Sequence, residues 1–363
     1  MKWTWIFKWL VSFFLTFSMT ISPLFGLIPG GINGNFEDWT EEQPFTADYA
    51  VRLEKDPDKD FVVLNLTDVQ LNEQSTFGDD GALAKATIDK LVDEVKPDLI
   101  TLTGDNGGKT LAYNELIRLL EGYGIPWAPV MGNHDGDNGS RLAEYWCAYK
   151  FRNAKNCLFR FGPKGMGFGN YIIQICEGDK IVHTLYMMDT HSDLGGGANI
   201  NGPKDGGYDH LWENQLKWYA WAVNGTNALA GRTVESSVLF HIPVCEYNDA
   251  WNMATEDGAF KPEYADTCFG EKNEPVCCPP ENNGFFDLML QLGSTKNVVV
   301  GHDHTNSYSI PYKGIRLSYS LKTGAGAYWK ETLNGGSTLT IDADGHAVFA
   351  HHFVDAGAYI TAE

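Results

Sequence analysis

Residues 98–106 read DLITLTGDN, an apolar and β-branched run that ends in glycine, aspartate and asparagine. This pattern is typical of a strand buried on both faces. A segment with helical spacing precedes it over 82–95 and stops before Pro97. A second helical segment follows over 111–124 and ends at a glycine. The stretch therefore predicts a central strand with a helix on either side of it in sequence.

The same alternation continues outward from this strand. FVVLNLT at 61–67 and PWAPVMG at 126–132 are further buried-strand patterns. Together these segments give the order β-α-β-α-β, which favours parallel strands covered by helices. The sequence therefore predicts an α/β fold.

The second half of the chain adds strands, helices and two irregular segments. We expect strands at 170–176, 181–189, 236–242 and 297–301, helices at 210–223 and 284–293, and antiparallel strands after 306. A Gly-rich hairpin region is expected between 135 and 170. Residues 245–283 form a long acidic stretch without periodicity, which is typical of a lid, a binding loop or a disordered segment.

The N-terminal region differs from the rest. Residues 1–30 begin with two lysines and continue as an apolar, aromatic run, which predicts an export signal or an uncleaved membrane anchor. An acidic lead follows over 31–57, and one domain is expected over 58–363 with 245–283 as a loop insertion. We therefore expect a secreted or cell-envelope protein, attached to a membrane only if the anchor is retained.

Composition limits the partners and the redox chemistry. The formal net charge of −20 disfavours binding to a nucleic acid duplex. In an exported protein some of the seven cysteines could pair, and at least one would be free or form an intermolecular bond because the number is odd. Cys147 with Cys157, and Cys268 with Cys277 or Cys278, would close short loops.

Polar residues follow five of the predicted strands. They are Asp68 and Gln70, Asp105 and Asn106, Asn133, His134 and Asp135, His241, and His302 with His304. Ligands of open α/β sheets bind at the carboxyl ends of strands, so these side chains are expected on one rim. A mixed oxygen and nitrogen set suits divalent metals, and two such ions can clamp an in-line phosphoryl displacement. Glycines before Asp105, Asn133 and His302 would let the backbone turn sharply.

The motifs D-x-Q, G-D-N, G-N-H-D, a lone His and G-H-D-H, in this order, resemble those of the calcineurin-like metallophosphoesterases. The resemblance covers about residues 58 to 330. GNYIIQI, FHIP, NNGFFD and GHDHTNSYSIPYKGIRL are similar to its purple-acid-phosphatase-like branch. This resemblance implies an αββα sandwich of two mixed sheets flanked by helices. It also implies an exported metal-dependent phosphoesterase, either a phosphatase or a phosphodiesterase.

The resemblance implies two divalent ions, of Mn, Fe, Zn or Mg. Their ligands would be Asp68, Gln70, Asp105 and His304 for the first ion, and Asp105, Asn133, His241 and His302 for the second. A hydroxide between the ions would attack the phosphate ester. His134 would act as the acid or stabilise the transition state, and Asp135 would orient its imidazole.

Two positions depart from the family pattern. The commonest pattern has His where Gln70 stands, and an amide oxygen is a harder and weaker ligand that favours Mn or Mg. The metal-binding tyrosine of true purple acid phosphatases corresponds to Leu71, so no iron–tyrosinate colour is expected. His191, Tyr319 and Lys322 lie near the expected rim; a structural role is favoured for His191, and the other two either line a phosphate pocket or are structural.

Three other functions remain open. The first is a phosphodiesterase that acts on a cyclic nucleotide or a lipid head group. The second is a metal-binding surface protein without turnover, degraded at Gln70. The third is a sugar-binding exported module, which the aromatic content suggests but which leaves the strand-end motifs unexplained.

Overall fold

Two β-sheets lie face to face, and helices cover the outer side of each. The computed structural model describes residues 32–71, 78–108, 110–135, 141–192 and 207–357. The layer order is helix, sheet, sheet, helix, and both sheets mix parallel with antiparallel pairs. The predicted fold class, an α/β fold arranged as an αββα sandwich, is therefore confirmed.

The described secondary structure consists of the following elements. The strands are β1 Ala50–Glu54, β2 Phe61–Leu66, β3 Leu99–Thr103, β4 Trp127–Val130, β5 Tyr171–Glu177, β6 Lys180–Met187, β7 Ser236–Leu239, β8 Thr255–Glu256, β9 Ala259–Phe260, β10 Thr295–Val300, β11 Ser309–Tyr312, β12 Ile315–Tyr319, β13 Gly335–Ile341 and β14 Ala347–Phe353. The helices are α1 Asp79–Val95, α2 Thr110–Tyr123, α3 Arg141–Asn153, α4 Glu213–Ala230, α5 Glu246–Ala254 and α6 Phe285–Leu292.

The strand order brings the ends of the parallel strands together. One sheet has the order β1-β5-β6-β7-β10-β12-β11 and the other β14-β13-β2-β3-β4, with β8 and β9 as a separate hairpin. Strands β2, β3 and β4 run parallel, and so do β7 and β10. The N–H of His302, after β10, donates to the side chain of Asp68, after β2, at 3.0 Å. The carboxyl ends of both sheets therefore meet at one rim.

The core follows from the alternation of side chains along the strands. On β5, Ile173 and Ile175 belong to the cluster that also contains residues of β2 and β3, such as Val63. The intervening Ile172 packs on the other side with Trp218 of α4. Successive strand residues point to opposite faces, so each sheet buries one face against its partner sheet and the other under helices.

The acidic lead contains an unpredicted strand. Residues of β1 pair in parallel with β5, at the edge of the seven-stranded sheet. Trp221 of α4 donates its indole N–H to the backbone oxygen of Gln43 at 2.7 Å. Phe45 packs so closely on α4 that a Cβ at Gly225 would collide with its ring. The described part of the lead is thus packed against the sandwich.

Two irregular segments contain helices that the sequence analysis did not predict. Helix α3 lies in the expected hairpin region and buries Tyr145, Ala148 and Phe151 at a spacing of three. Helix α5 and the β8–β9 hairpin occupy the start of the stretch expected to be a loop. The apolar residues that helix α5 buries are Tyr247, Ala250 and Ala254, and its first residue, Glu246, is buried as well. Such short apolar stripes among Asn, Asp and Glu give too weak a periodicity to identify from sequence.

The N-terminal prediction falls outside the described residues. Residues 1–30, expected to be an export signal or an anchor, belong to the part that the structure does not describe. Among the residues that it does describe, none of the helices has the length and apolar character that a membrane crossing requires.

The cysteines are not paired as expected. All seven are free thiols in the structure, including Cys147, Cys157 and Cys268. The thiol groups that meet are those of Cys245 and Cys278, whose Sγ atoms lie 2.7 Å apart. The unexpected helix α5 explains this difference, because it begins directly after Cys245 and places that residue against the 278–279 backbone.

This proximity predicts the disulfide that forms on oxidation. We expect oxidised glutathione to convert Cys245 and Cys278 to a disulfide by thiol exchange, with release of two reduced glutathiones. Peptide mapping under non-reducing conditions should then find these two residues linked, and a Cys245→Ser variant should lose the cross-linked peptide. A link from Cys268 to Cys278 would contradict the structure.

Candidate metal centre

The polar residues at the strand ends are held in a strained backbone conformation. Asp68, Gln70, Asp105 and His302 have φ angles of 50°, 44°, 51° and 74°. Positive φ is uncommon for residues other than glycine, and such strain clusters at functional sites. Asp68 and Gln70 lie in the loop after β2, Asp105 in the loop after β3 and His302 in the loop after β10, so the strained turns lie at the rim where these strands end.

The three glycines beside these residues act in two ways. Only Gly104 has a positive φ, of 91°. A Cβ at Gly132 would collide with Asp105, and a Cβ at Gly301 would collide with Thr67 and Asp68. The expectation of sharp turns thus holds for Gly104, whereas Gly132 and Gly301 allow neighbouring strand ends to approach closely.

Three side chains converge on the Nε2 atom of His241. Asn133 Oδ1 lies 3.0 Å from it, His302 Nδ1 3.2 Å and Asp105 Oδ1 3.3 Å. All four residues are buried, and His241 Nδ1 is bonded to the backbone oxygen of Thr103 at 2.7 Å. We call this group the Asp105 site. Two oxygens and two imidazole nitrogens directed at one point form a donor set that suits a divalent transition metal.

A second group lies next to it, and we call it the Asp68 site. Asp68 Oδ1 lies 3.3 Å from His304 Nε2. The other carboxylate oxygen, Oδ2, accepts hydrogen bonds from the Thr67 hydroxyl at 2.7 Å and from the His302 N–H at 3.0 Å. Oδ1 is buried and has no hydrogen bond among the described residues. A buried carboxylate oxygen without a hydrogen bond is costly, so this atom depends on the His304 imidazole 3.3 Å away unless a cation binds there.

Carboxylates of both sites lie close to one imidazole. The ligand atoms of Asp68, Asp105 and His241 all lie within 4.8 Å of one another. The structure therefore brings together all seven residues that were predicted to bind metal, at a single rim. The seven residues are not equally free to bind a metal ion, and Gln70 differs most from the others.

Both polar atoms of the Gln70 amide form hydrogen bonds. Its Nε2 donates to Asp105 Oδ2 at 3.0 Å, and its Oε1 accepts from Lys322 Nζ at 2.9 Å. Lys322 also donates to the backbone oxygen of Asp68 at 2.6 Å and is only 3% exposed. The amide oxygen that was expected to bind metal is thus hydrogen-bonded to a buried lysine.

His134 and Asp135 occupy the turn after β4. The backbone N–H of His134 donates to Asp105 Oδ1 at 2.9 Å, and its side chain is exposed. The buried Asp135 carboxylate accepts from the N–H of Gly132 at 2.7 Å, from the N–H of Asn106 at 2.8 Å and from the Tyr113 hydroxyl. Asp135 therefore ties the turn that carries His134 to the loop that carries Asp105. A direct role in orienting the His134 imidazole stays a prediction.

The carboxylates control the charge of the imidazoles. Burial alone would lower the pKa of His241, but the charge of Asp105, the hydrogen bond with it and the charge of Asp68 raise it to about 10. Burial and the neighbouring charge of His241 lower the pKa of His302 to about 3. Although burial opposes it, His241 also holds the pKa of Asp105 below its usual range. His241 therefore carries a proton at neutral pH, between two carboxylates.

This proton competes with a metal ion. Because a metal must displace it from His241, we expect the affinity for Mn²⁺ to rise about tenfold for each pH unit between about pH 6 and 8. The sign follows from the raised pKa of about 10, since a rising pH up to that value favours the neutral imidazole. Calorimetric titration in non-chelating buffers measures the slope.

A His241→Asn variant is the control for this prediction, because it has no proton to displace at that position. It should bind more weakly, and its affinity should vary less steeply with pH. If the Mn²⁺ affinity of the unmodified protein did not change with pH, the assignment of a proton to His241 would be wrong.

Several neighbours of the centre could not be identified from sequence. Tyr328 stacks on His304, with ring centroids 4.2 Å apart, and its backbone oxygen is bonded to His304 Nδ1 at 2.7 Å. The rings of Tyr208 and His302 are perpendicular to each other, with centroids also 4.2 Å apart. His191 stacks on Trp212 at 3.9 Å, in line with the structural role that we favoured. Neither tyrosine belongs to a recognisable motif.

The family comparison bears on this centre. The family model described as calcineurin-like phosphoesterase matches residues 61–314. This range begins at β2 and ends just before β12. It includes every strand end that contributes a residue to the centre.

Individual relatives cover part of the chain. The Arabidopsis thaliana protein named "Probable inactive purple acid phosphatase 14" is 29% identical over 263 residues, which cover 64% of this chain and 60% of that protein. The Saccharomyces cerevisiae protein named "Phosphatase DCR2" is 32% identical over 238 residues, 61% of this chain and 38% of that protein. This chain thus spans 60% or less of the length of these two relatives.

A solved structure supports the fold. The crystal structure of a dimetal phosphatase from Danio rerio matches with a TM-score of 0.50 at 12% identity, covering 78% of this chain and 93% of that one. At this level of identity the likeness concerns the arrangement of strands and helices.

Proposed function

The chain belongs to the calcineurin-like phosphoesterase family, and from this premise we propose that it is a metal-dependent hydrolase of phosphate esters. The observation that carries the proposal is the Asp105 site. Four donor atoms meet there at 3.0–3.3 Å in a buried position at the carboxyl ends of the strands. Such a set has no evident structural purpose unless it holds a cation.

The Asp105 site would hold the catalytic ion through Asp105, Asn133, His241 and His302. When bound, a divalent ion lowers the pKa of a coordinated water, which supplies a nucleophile at neutral pH, and neutralises charge on the phosphoryl group. The protein contributes by fixing the positions of the residues that would bind this ion. The strained turns and the hydrogen bonds of Asp135 fix Asp105 and the 132–135 turn in one geometry. Preorganisation of this kind lowers the barrier because no group has to move in the reaction.

His134 is the candidate acid. Its side chain is exposed, while its backbone N–H is fixed to Asp105 Oδ1. A substrate phosphate at the Asp105 site would thus lie beside the imidazole. Proton donation to the departing alkoxide is the step that we assign to His134.

A metal-binding protein without turnover is the second candidate. It is favoured by the amide of Gln70, which is committed to Lys322 and Asp105 and leaves the Asp68 site with fewer ligands than expected. Three of the relatives, all from Arabidopsis thaliana, also have "inactive" in their names. This candidate predicts that metal is bound but that no phosphate ester is cleaved.

Turnover of two matched substrates decides between the candidates. An aryl phosphate monoester and the corresponding diester are offered to the metal-stripped protein, without metal and then with Mn, Zn, Mg and Fe. We expect metal-dependent cleavage, and the preferred ester then separates a phosphatase from a phosphodiesterase. Binding of metal without cleavage of either ester, or of natural diesters, would overturn the enzyme proposal.

We also propose that the protein is exported to the cell envelope or secreted. The proposal rests on the two N-terminal lysines and the apolar run that follows them within residues 1–30. Cell fractionation and N-terminal sequencing of the mature protein test it. An unprocessed chain in the soluble cell interior would contradict it.

A further inference from the structure

We propose that Lys322 holds the Gln70 amide away from metal binding, so that the chain binds a single metal ion, at the Asp105 site. This inference rests on the proposed function, since it presumes a metal-binding rim. It differs from the dinuclear centre that the resemblance implies. Three features of the Asp68 site and its surroundings support this inference.

The first feature is the orientation of the Gln70 amide. A lysine side chain offers only hydrogen-bond donors, so the Gln70 atom 2.9 Å from Lys322 Nζ must be the oxygen. The amide nitrogen therefore faces Asp105. An amide NH₂ group donates hydrogen bonds and does not bind cations. While Lys322 is in place, the Gln70 oxygen lies against a positive charge, which disfavours a metal ion at the same atom.

The second feature is the state of the Asp105 carboxylate. A bridging role would require one oxygen for each ion. Oδ1 lies 3.3 Å from His241 Nε2, on the side of the Asp105 site. Oδ2 accepts the N–H of Gln70 at 3.0 Å. The oxygen that would have reached the first ion is thus held by the amide of Gln70, and only Asp68 and His304 remain.

The third feature is how firmly Lys322 is placed. The backbone N–H of Thr323, the next residue, donates to the oxygen of Thr67 at 2.9 Å. The Lys322 backbone oxygen accepts from the N–H of Gly335 at 3.0 Å, at the start of β13. The lysine is thus clamped between the end of β2 and β13, and it is only 3% exposed.

Charge points to the same conclusion. Two buried carboxylates, of Asp68 and Asp105, face this region. Lys322 supplies one positive charge there and a divalent ion at the Asp105 site supplies two. A second dication would lie next to a fixed ammonium group in a buried region, where water screens repulsion poorly. The ammonium group therefore disfavours a second dication close to it.

The number of metal ions per chain tests the inference without any measurement of activity. The folded protein is loaded with Mn²⁺, passed through a gel-filtration column and analysed by elemental mass spectrometry, with electron paramagnetic resonance on the same sample. We expect one ion per chain and the spectrum of an isolated Mn²⁺. Two ions with an exchange-coupled spectrum would overturn the inference and leave the proposed function intact. No bound ion would overturn both.

Variants identify Lys322 as the cause. Lys322→Met keeps the length of the side chain and removes the ammonium group, so the Gln70 oxygen is free to turn to a metal, and we expect a second ion per chain. Lys296→Met, at an exposed position of β10, is the matched control and should still bind one ion per chain. A folded Lys322→Met protein that still binds one ion would contradict the assigned role. If that variant does not fold, Gln70→Leu is tested in its place. We expect it to bind one Mn²⁺ per chain, as the unmodified protein does, because Gln70 is not a ligand.

Discussion

Replacing Asp105 with asparagine is expected to remove both metal binding and hydrolysis. Asp105 supplies an oxygen to the Asp105 site, and its carboxylate also fixes the His134 backbone and accepts the Gln70 amide. Mutation of mere outer partners of a metal site costs about 10–100-fold in affinity or activity, so loss of this ligand should cost more than about 100-fold. Metal content after gel filtration and kcat/KM on an aryl phosphate measure the two effects.

The matched control is Asp287→Asn. Asp287 is an exposed carboxylate in the first turn of α6, so it tests the loss of one negative charge far from the rim. It should leave the metal content and kcat/KM unchanged. If Asp105→Asn retained its metal and its turnover, the Asp105 site would not be the catalytic centre.

Replacing His134 with alanine is expected to lower kcat while the metal stays bound. An acid that protonates the leaving group contributes about 10²–10⁴-fold, so a loss in that range is expected. The side chain is exposed and is no part of the four-atom cluster, so the metal content should not change. A lower kcat at unchanged metal content would separate catalysis from metal binding. It would also distinguish an enzyme from a protein that only stores or senses metal.

The leaving group sharpens this test. A nitrophenolate departs without a proton, whereas an alkoxide needs one. The loss in His134→Ala should therefore be larger for an alkyl phosphate than for a nitrophenyl phosphate. His346→Ala, at an exposed histidine after β13, is the control. Equal losses with both esters would exclude proton donation and leave His134 a role in stabilising charge.

The sandwich could be predicted because its strands are long, apolar and regularly spaced. The segment 61–132 alternates strand and helix with clear stops, and the structure reproduces these elements within about three residues. Helices α3 and α5 were missed because short stripes such as Tyr247, Ala250 and Ala254 are interrupted by polar residues. Strand β1 was missed because it lies in an acidic stretch and gains its stability from pairing with β5.

The metal centre could be predicted as a set of residues but not as a geometry. Parallel strands place their carboxyl ends at one rim, so the order of motifs already brought Asp105, Asn133 and His241 together. The contacts of Gln70 depend on Lys322, which is 252 positions away in the chain. A partner that distant carries no local signal, and neither does the left-handed backbone of Asp68, Gln70 and His302.

Formation of a metal site by the strand-end residues underlies both the proposed function and the role of Lys322. Anomalous diffraction from a crystal loaded with Mn²⁺ tests it most directly. We expect one strong peak within bonding distance of Asp105, Asn133, His241 and His302. A second peak beside Asp68 and His304 would contradict only the role of Lys322. No peak among the four side chains at saturating Mn²⁺, or a peak elsewhere in the molecule, would contradict the metal centre and the proposed function with it.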